Sequence, residues 1–364
     1  MQPFAAFSPM MGALTPDLEA LERAVHAELQ AQGTALLKGI QTYLAATYDR
    51  QAAEGKPIWQ DGTTRLLDYG VEGEEQATAL FIPSLINRHY ILDLLPECSM
   101  VRFLRAQGIR PLLIDWGDPG AAEEGFSCTD YVMQRIIPAM EAARGATQSP
   151  LMLTGYCMGG LLALAAAQLA ETKPDGLALF ATPWDFHSPN FARVPLDSDH
   201  IAKLEALLSR SPTLPGTVLQ TLFYATSPWS FAQKYAKFST FSPKSPEAKH
   251  FVAREAWVND NVDMPSATAR ECLIDWSQHN ATARGNWKVG EQTIRPEAMR
   301  HIPTFCALPT RDTVVPQDSA QALATALPHA TICRPHAGHV GMVAGAHAKE
   351  GLWEPYVAWI KTCS

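Results

Sequence analysis

The sequence predicts an α/β fold: a mainly parallel sheet with helices on both faces and an inserted cap. Three observations carry this. Short apolar runs alternate with helix-length stretches from residue 77 onward. One run ends in a glycine-rich turn that opens directly into an Ala/Leu-rich helix. A long interruption, residues 184–300, separates the fourth run from the fifth. Strands joined by helix-length connections imply βαβ units, whose sites gather at the carboxyl ends of the strands.

Composition sets the bounds. The chain has 364 residues, 47% hydrophobic and 18% charged. That supports a large core in one or two domains and excludes a wholly disordered chain. A net charge of -8 lacks the electrostatic footprint of a general nucleic-acid binder. The seven cysteines are scattered and never form C-x-x-C. A reducing compartment is expected, with no disulfide framework, no metal and no cofactor. The first ten residues contain no basic residue and do not read as a signal peptide.

Taken in order, residues 1–70 read as an N-terminal helical segment. Thr15-Pro16 resembles a cap followed by a first-turn proline, and Leu18, Leu21, Val25 and Leu29 continue at helical spacing. Residues 71–183 and 301–364 read as the core. Its strands are expected at Ala77–Ile82, Pro111–Trp116, Leu151–Tyr156, Leu177–Ala181, Thr304–Leu308 and Ala330–Cys333. Leu151 to Ala170 is uncharged over the length of a membrane span. Gly155, Gly159 and Gly160 interrupt it where a turn needs them, so strand, turn and buried helix is the better reading and no membrane span is expected. Residues 184–300 exceed a plain connection and read as a cap leaving a strand's carboxyl end.

The strongest local signal is Gly155-Tyr156-Cys157-Met158-Gly159-Gly160. It has the strand–turn–helix context of the G-x-S-x-G elbow, the hallmark of the α/β-hydrolase fold, with cysteine in place of serine. The helix that follows aims its positive end at the sulfur and favours thiolate. In this fold the acid and the base follow the nucleophile in that order. Asp312 follows one expected strand, and His339, in Ala337-Gly338-His339-Val340-Gly341, follows the next. His336 is an alternative base and Asp185 an alternative acid. The Met158 N–H would form half of an oxyanion hole. The other half would come from the loop Pro83-Ser84-Leu85-Ile86-Asn87, through an N–H near Ser84 or Leu85.

These residues resemble the polyhydroxyalkanoate synthases, α/β-hydrolase-fold enzymes with a cysteine nucleophile. The likeness extends beyond the elbow. Asn87-Arg88-His89-Tyr90-Ile91-Leu92-Asp93-Leu94 is similar to the family's N-x-x-Y-x-x-D-L segment, and Leu113-Ile114-Asp115-Trp116-Gly117 to its L-I-D-W-G strand end. Asp130-Tyr131, Thr182-Pro183-Trp184-Asp185-Phe186 and the glycine-flanked His339 match further segments, so the likeness spans about residues 77–345. Thr313 stands where the family often has histidine after the acid.

The resemblance implies an acyltransferase that polymerises 3-hydroxyacyl-coenzyme A through an acyl-cysteine, with Cys157 as nucleophile, His339 as base and Asp312 as its orienting acid. It implies a polyester chain as co-substrate, a second synthase subunit or a homodimer as partner, and a cytoplasmic location at polyester granules. Asn87 and Tyr156 are candidate substrate contacts. Lys234 and Lys237 belong to a basic stretch, with Lys244, Lys249 and Arg254, that could meet coenzyme A phosphates or be a solvated helix face. The alternative is a hydrolase using the same three residues: a thioesterase, a polyester depolymerase or a lactone hydrolase.

Overall fold

The computed structural model describes residues 17–71, 73, 75–191, 196–226 and 228–363. The described chain forms two compact units.

The larger unit, residues 49–226 and 253–364, is built on an eight-stranded sheet. Its strands are β1 (Lys56–Asp61), β2 (Thr64–Asp68), β3 (Ala77–Ile82), β4 (Ile109–Asp115), β5 (Leu151–Tyr156), β6 (Gly176–Phe180), β7 (Thr304–Ala307) and β8 (Thr331–Cys333). Their order is β1-β2-β4-β3-β5-β6-β7-β8. The first two pairings are antiparallel and the rest parallel.

Alternation along each strand sorts the two faces. Leu80, Ile82, Leu112, Ile114, Leu151, Leu153, Leu177 and Leu179 point to one core, which also holds α4 (Met158–Leu169). Phe81, Phe180 and Phe305 point the other way and pack edge-on or tilted against Tyr356 of α11 (Glu354–Cys363). Layers on both faces explain why the central strands are buried at every position and mostly apolar rather than alternating with exposed polar residues. Leu161, Leu162 and Leu164 of α4 are fully buried, each contributing about 1.5–3 kcal/mol. The uncharged stretch Leu151 to Ala170 is therefore β5, a turn and α4. No helix among the described residues is long and apolar enough to cross a membrane.

Two parts of the sequence reading change. The N-terminal segment is not helical to residue 70. Its helix α1 (Leu18–Leu44) ends at Leu44, and β1 and β2 form a hairpin that joins the sheet. The turn is Asp61-Gly62-Thr63, with Gly62 at φ 55°. The α1 cap is Asp17, whose side chain accepts the Ala20 N–H at 3.0 Å; Thr15 and Pro16 lie outside the described residues, as do the first ten.

The second change concerns the insertion. Of the described residues, 228–252 belong to the smaller unit, together with 17–48. In that unit Leu36, Ile40 and Tyr43 of α1 pack against Tyr235 and Phe238 of α7 (Pro228–Phe238) and against Phe251 of α8 (Pro246–Asn259). The rest of the insertion belongs to the larger unit, including α6 (Gly216–Thr226) and the end of α8.

Candidate active site

Cys157 stands at the tip of the bend between β5 and α4, with φ 56° and ψ -127°. Such a backbone conformation costs roughly 1–3 kcal/mol and persists only where packing over-determines it. Three glycines make the bend possible. A Cβ on Gly155 would collide with the Gly160 backbone, one on Gly159 with the Ile82 and Pro83 carbonyls, and one on Gly160 with the Thr182 side chain. The Cys157 N–H donates to the Phe180 carbonyl at 2.8 Å, extending the β5–β6 ladder into the bend. Met158 opens α4, so its N–H belongs to the first-turn donors that a helix leaves unpaired within itself.

Asp312 and His339 meet because the β7–β8 ladder continues past the strands. Leu308 N–H donates to the Cys333 carbonyl, Thr310 to Pro335 and Arg311 to Ala337, at 2.8, 3.0 and 3.0 Å. The two loops therefore run side by side. His339 Nδ1 donates to Asp312 Oδ2 at 2.7 Å, while Asp312 Oδ1 accepts the Val314 and Val315 N–H groups at 2.8 and 2.9 Å. The Asp312 side chain is 0% exposed and that of His339 10%. Burial alone would lower the His339 pKa. The charges of Cys157 and Asp312, and hydrogen bonds to both, outweigh burial and push it up to about 10.

The two alternatives are engaged elsewhere. His336 is exposed and its Nδ1 faces Thr310 Oγ1 at 3.1 Å. Asp185 accepts from Asn280 Nδ2 at 2.8 Å and from the His187 N–H at 2.9 Å.

A cavity of about 180 Å³ opens over Cys157 and His339. Pro83, Ser84, Ile86, Asn87 and Arg88 line one side, and Tyr224, Trp257, Val258 and Asn261 come from the insertion. Ser84 Oγ accepts the Ile86 N–H at 3.2 Å, whereas the Leu85 side chain is buried in the main core. Asn87 bridges to Asn261. Tyr156 lines the cavity and stacks on His339. Lys234 and Lys237 lie on α7 in the smaller unit, where the Lys234 ammonium sits over the Phe231 and Tyr235 rings at 5.5 and 5.4 Å.

Sequence reasoning gave Arg88 no role. Its guanidinium donates to Asp118 at 2.7 Å and to Asp260 at 3.3 Å, and its carbonyl accepts from Trp257 Nε1 at 2.7 Å. The Tyr90 hydroxyl donates to the other oxygen of Asp260 at 2.9 Å. These bonds tie the segment 257–261 to the loop after β3. The only signal for them was the N-x-x-Y segment itself. Behind that loop, His89 Nδ1 lies 3.0 Å from Asp115, which also pairs with Arg65 at 2.5 Å. Burial works against the Asp115 carboxylate, but His89, Arg65 and the Gly117 N–H hold its pKa well below the usual carboxylate range.

The model of the alpha/beta hydrolase family matches residues 80–350. The chain belongs to that family. A second family model, described as the N-terminus of poly-beta-hydroxybutyrate polymerase, matches residues 45–104. The chain is 25% identical over 308 residues to a poly(3-hydroxyalkanoate) polymerase subunit PhaC of Haloferax mediterranei, covering 83% of this chain and 62% of that protein. It is 26% identical over 298 residues to the subunit of the same name from Allochromatium vinosum, covering 80% of this chain and 82% of that protein. The chain thus spans less than two thirds of the Haloferax relative's length. The resemblance to polyhydroxyalkanoate synthases is borne out by these relatives. Among solved structures, the monoacylglycerol lipase of Paleococcus ferrophilus superposes with a TM-score of 0.52 at 16% identity, covering 83% of this chain and 99% of that one. That likeness concerns the fold alone.

Proposed function

We propose that the chain polymerises 3-hydroxyacyl-coenzyme A into polyhydroxyalkanoate through an acyl-cysteine. The observation that carries the chemistry is the His339–Asp312 bond of 2.7 Å beside a cavity that Cys157 and His339 both line. His339, oriented by Asp312, takes the proton of Cys157. The thiolate attacks the thioester carbonyl, the carbonyl–sulfur bond to coenzyme A breaks, coenzyme A leaves as the thiol with the proton that His339 returns, and an acyl-cysteine remains. The Met158 N–H and an N–H near Ser84 or Leu85 hold the developing oxyanion. The hydroxyl of a chain end or second monomer, deprotonated by His339, then attacks the acyl group; the ester forms, the acyl–sulfur bond breaks, and Cys157 leaves as thiolate beside the His339 imidazolium.

Cysteine suits transfer. Exchanging one thioester for another is nearly isoenergetic, so the acyl group keeps the activation that ester formation consumes. The largely apolar walls, including Ile86, Trp257, Val258, Val314 and Val340, support the reading because polymerisation requires water to be kept from the acyl-cysteine. Relatives named as polymerase subunits support a second subunit or a homodimer as partner, and the product implies work at polyester granules.

The test is incubation with 3-hydroxybutyryl-coenzyme A, with and without a candidate second subunit. Polymer and free coenzyme A are expected, and Cys157→Ala is expected to release neither. Free 3-hydroxybutyrate as sole product would replace the synthase by a hydrolase using the same residues. A Cys157→Ala variant as active as the parent would remove the acyl-cysteine.

A further inference from the structure

The residue before the proposed nucleophile reaches across to the proposed base. Tyr156 is the last residue of β5 and is buried. Its ring lies against the His339 imidazole, with centroids 5.1 Å apart and planes 28° from parallel. Its hydroxyl donates to the His339 carbonyl at 3.2 Å. We propose that Tyr156 is a positioning residue: its ring face holds the imidazole plane turned toward Cys157 and stabilises the imidazolium, while its hydroxyl anchors the backbone that carries it. This rests on the acyl-cysteine reading above and assigns one of its parts.

Hydrogen bonds at the ring nitrogens bend easily, so even with the Asp312 bond at 2.7 Å the imidazole can still rock about its Cβ–Cγ bond, out of the hydrogen-bonding plane. A flat surface packed nearly parallel to the ring removes this rotation. It also places the negative face of an aromatic ring against a group that becomes cationic, an arrangement that favours the cation. The titratable groups that face His339 are Cys157, Asp312 and Tyr156 itself. Burial first, then the charges of Cys157 and Asp312, raise the Tyr156 pKa well above its ordinary value, so the hydroxyl remains a donor. The carbonyl that it bonds belongs to the first residue of the helix His339–Ala344. One side chain therefore fixes both the ring and the main chain of the base, from the element that presents the sulfur.

Two variants separate the parts. Tyr156→Phe keeps the ring and removes the hydroxyl. Tyr156→Met keeps most of the volume and removes the aromatic face. His339 is followed by histidine NMR titration, its signal assigned by its loss in His339→Gln, and kcat and KM are measured on 3-hydroxybutyryl-coenzyme A. In Tyr156→Met the His339 pKa is expected to fall by about half to one and a half units. Its kcat is expected to fall roughly tenfold to a hundredfold, with KM changed by less than about threefold. Tyr156→Phe is expected to titrate like the parent and to lose only a few-fold in kcat. A parent-like titration in Tyr156→Met, or a displacement in Tyr156→Phe as large as that expected for Met, overturns the proposal. Should the Met variant not fold, the Phe titration decides. The titration needs no turnover, so absence of polymer would count against the synthase reading and not against this role.

Discussion

Asp312 makes one kind of bond with each oxygen. Oδ1 is occupied by two backbone N–H groups and Oδ2 by the imidazole. In Asp312→Asn the loop bonds to Oδ1 can persist, but an amide NH2 cannot accept from Nδ1–H and would hold the wrong tautomer. A loss of roughly a thousandfold to ten-thousandfold in kcat is expected, with little change in thermal unfolding. A loss of under tenfold would show that His339 works without that partner. Glu271 offers a contrasting case, in which burial dominates. Burial raises its pKa to about 7, although it accepts the Cys128 N–H at 2.8 Å. The folded chain thus binds this proton more tightly than the unfolded chain does. The carboxyl costs nothing below about pH 4.5, its cost grows as pH rises to about 7, and the full cost stands above that. Glu271→Gln should therefore stabilise the protein at pH 8, by up to about 3 kcal/mol, and hardly at pH 4.5. Unfolding midpoints at the two pH values check this, and an equal gain at both would refute it.

At the scale of elements, the bend at Cys157 is a contact between α4 and the end of β3. A methyl on Gly159 would strike the Ile82 and Pro83 carbonyls, which lead into the loop carrying Ser84 and Leu85. Gly159→Ala should lower stability by about 1–3 kcal/mol through overpacking. It should lower kcat more than that loss of stability explains, because the loop it displaces carries a proposed oxyanion donor. Thermal unfolding measured beside kcat separates the two. This bend was legible because its glycines sit where no Cβ fits, and a local steric rule needs no tertiary information. That Cys157, Asp312 and His339 would gather was legible for a related reason: parallel strands put all their carboxyl termini at one end of the sheet. The β1–β2 hairpin was missed because Lys56-Pro57-Ile58-Trp59-Gln60-Asp61 is half polar, does not alternate, and is exposed at four of its six positions at the sheet's edge. Its Asp61-Gly62 turn was the available signal. The Arg88–Asp260 tie joins residues 172 positions apart, and no local pattern encodes such a pairing. The charges of Lys234 and Lys237 were legible, but the Phe231 and Tyr235 rings beneath Lys234 were not, since charge is visible in a sequence and packing is not.

At the scale of the whole molecule, the two units are held by very different amounts of buried surface. In the larger one, β3, β4, β5 and β6 are buried at every position, and each lies between two hydrogen-bonded neighbours. Exposing their amides requires loss of the sheet. In the smaller one, Gly39 is the only buried residue in the 27 of α1, and Leu18, Leu21, Val25 and Leu29 are exposed. The aromatic packing of α1 begins only at Leu36. A helix without a buried face gains little beyond its own hydrogen bonds and opens readily. Hydrogen exchange followed by mass spectrometry should therefore grade the chain. Amides in Leu18 to Gln32 should exchange first, those from Leu36 to Leu44 later, and those of β5 and β6 last, by several orders of magnitude. Replacing Tyr43 with alanine should bring the second group down to the first, since that ring meets both Tyr235 and Phe251 edge-on. The same change should leave β5 and β6 untouched. Equal protection along all of α1 would mean that its first half is covered by something other than the packing that holds its second.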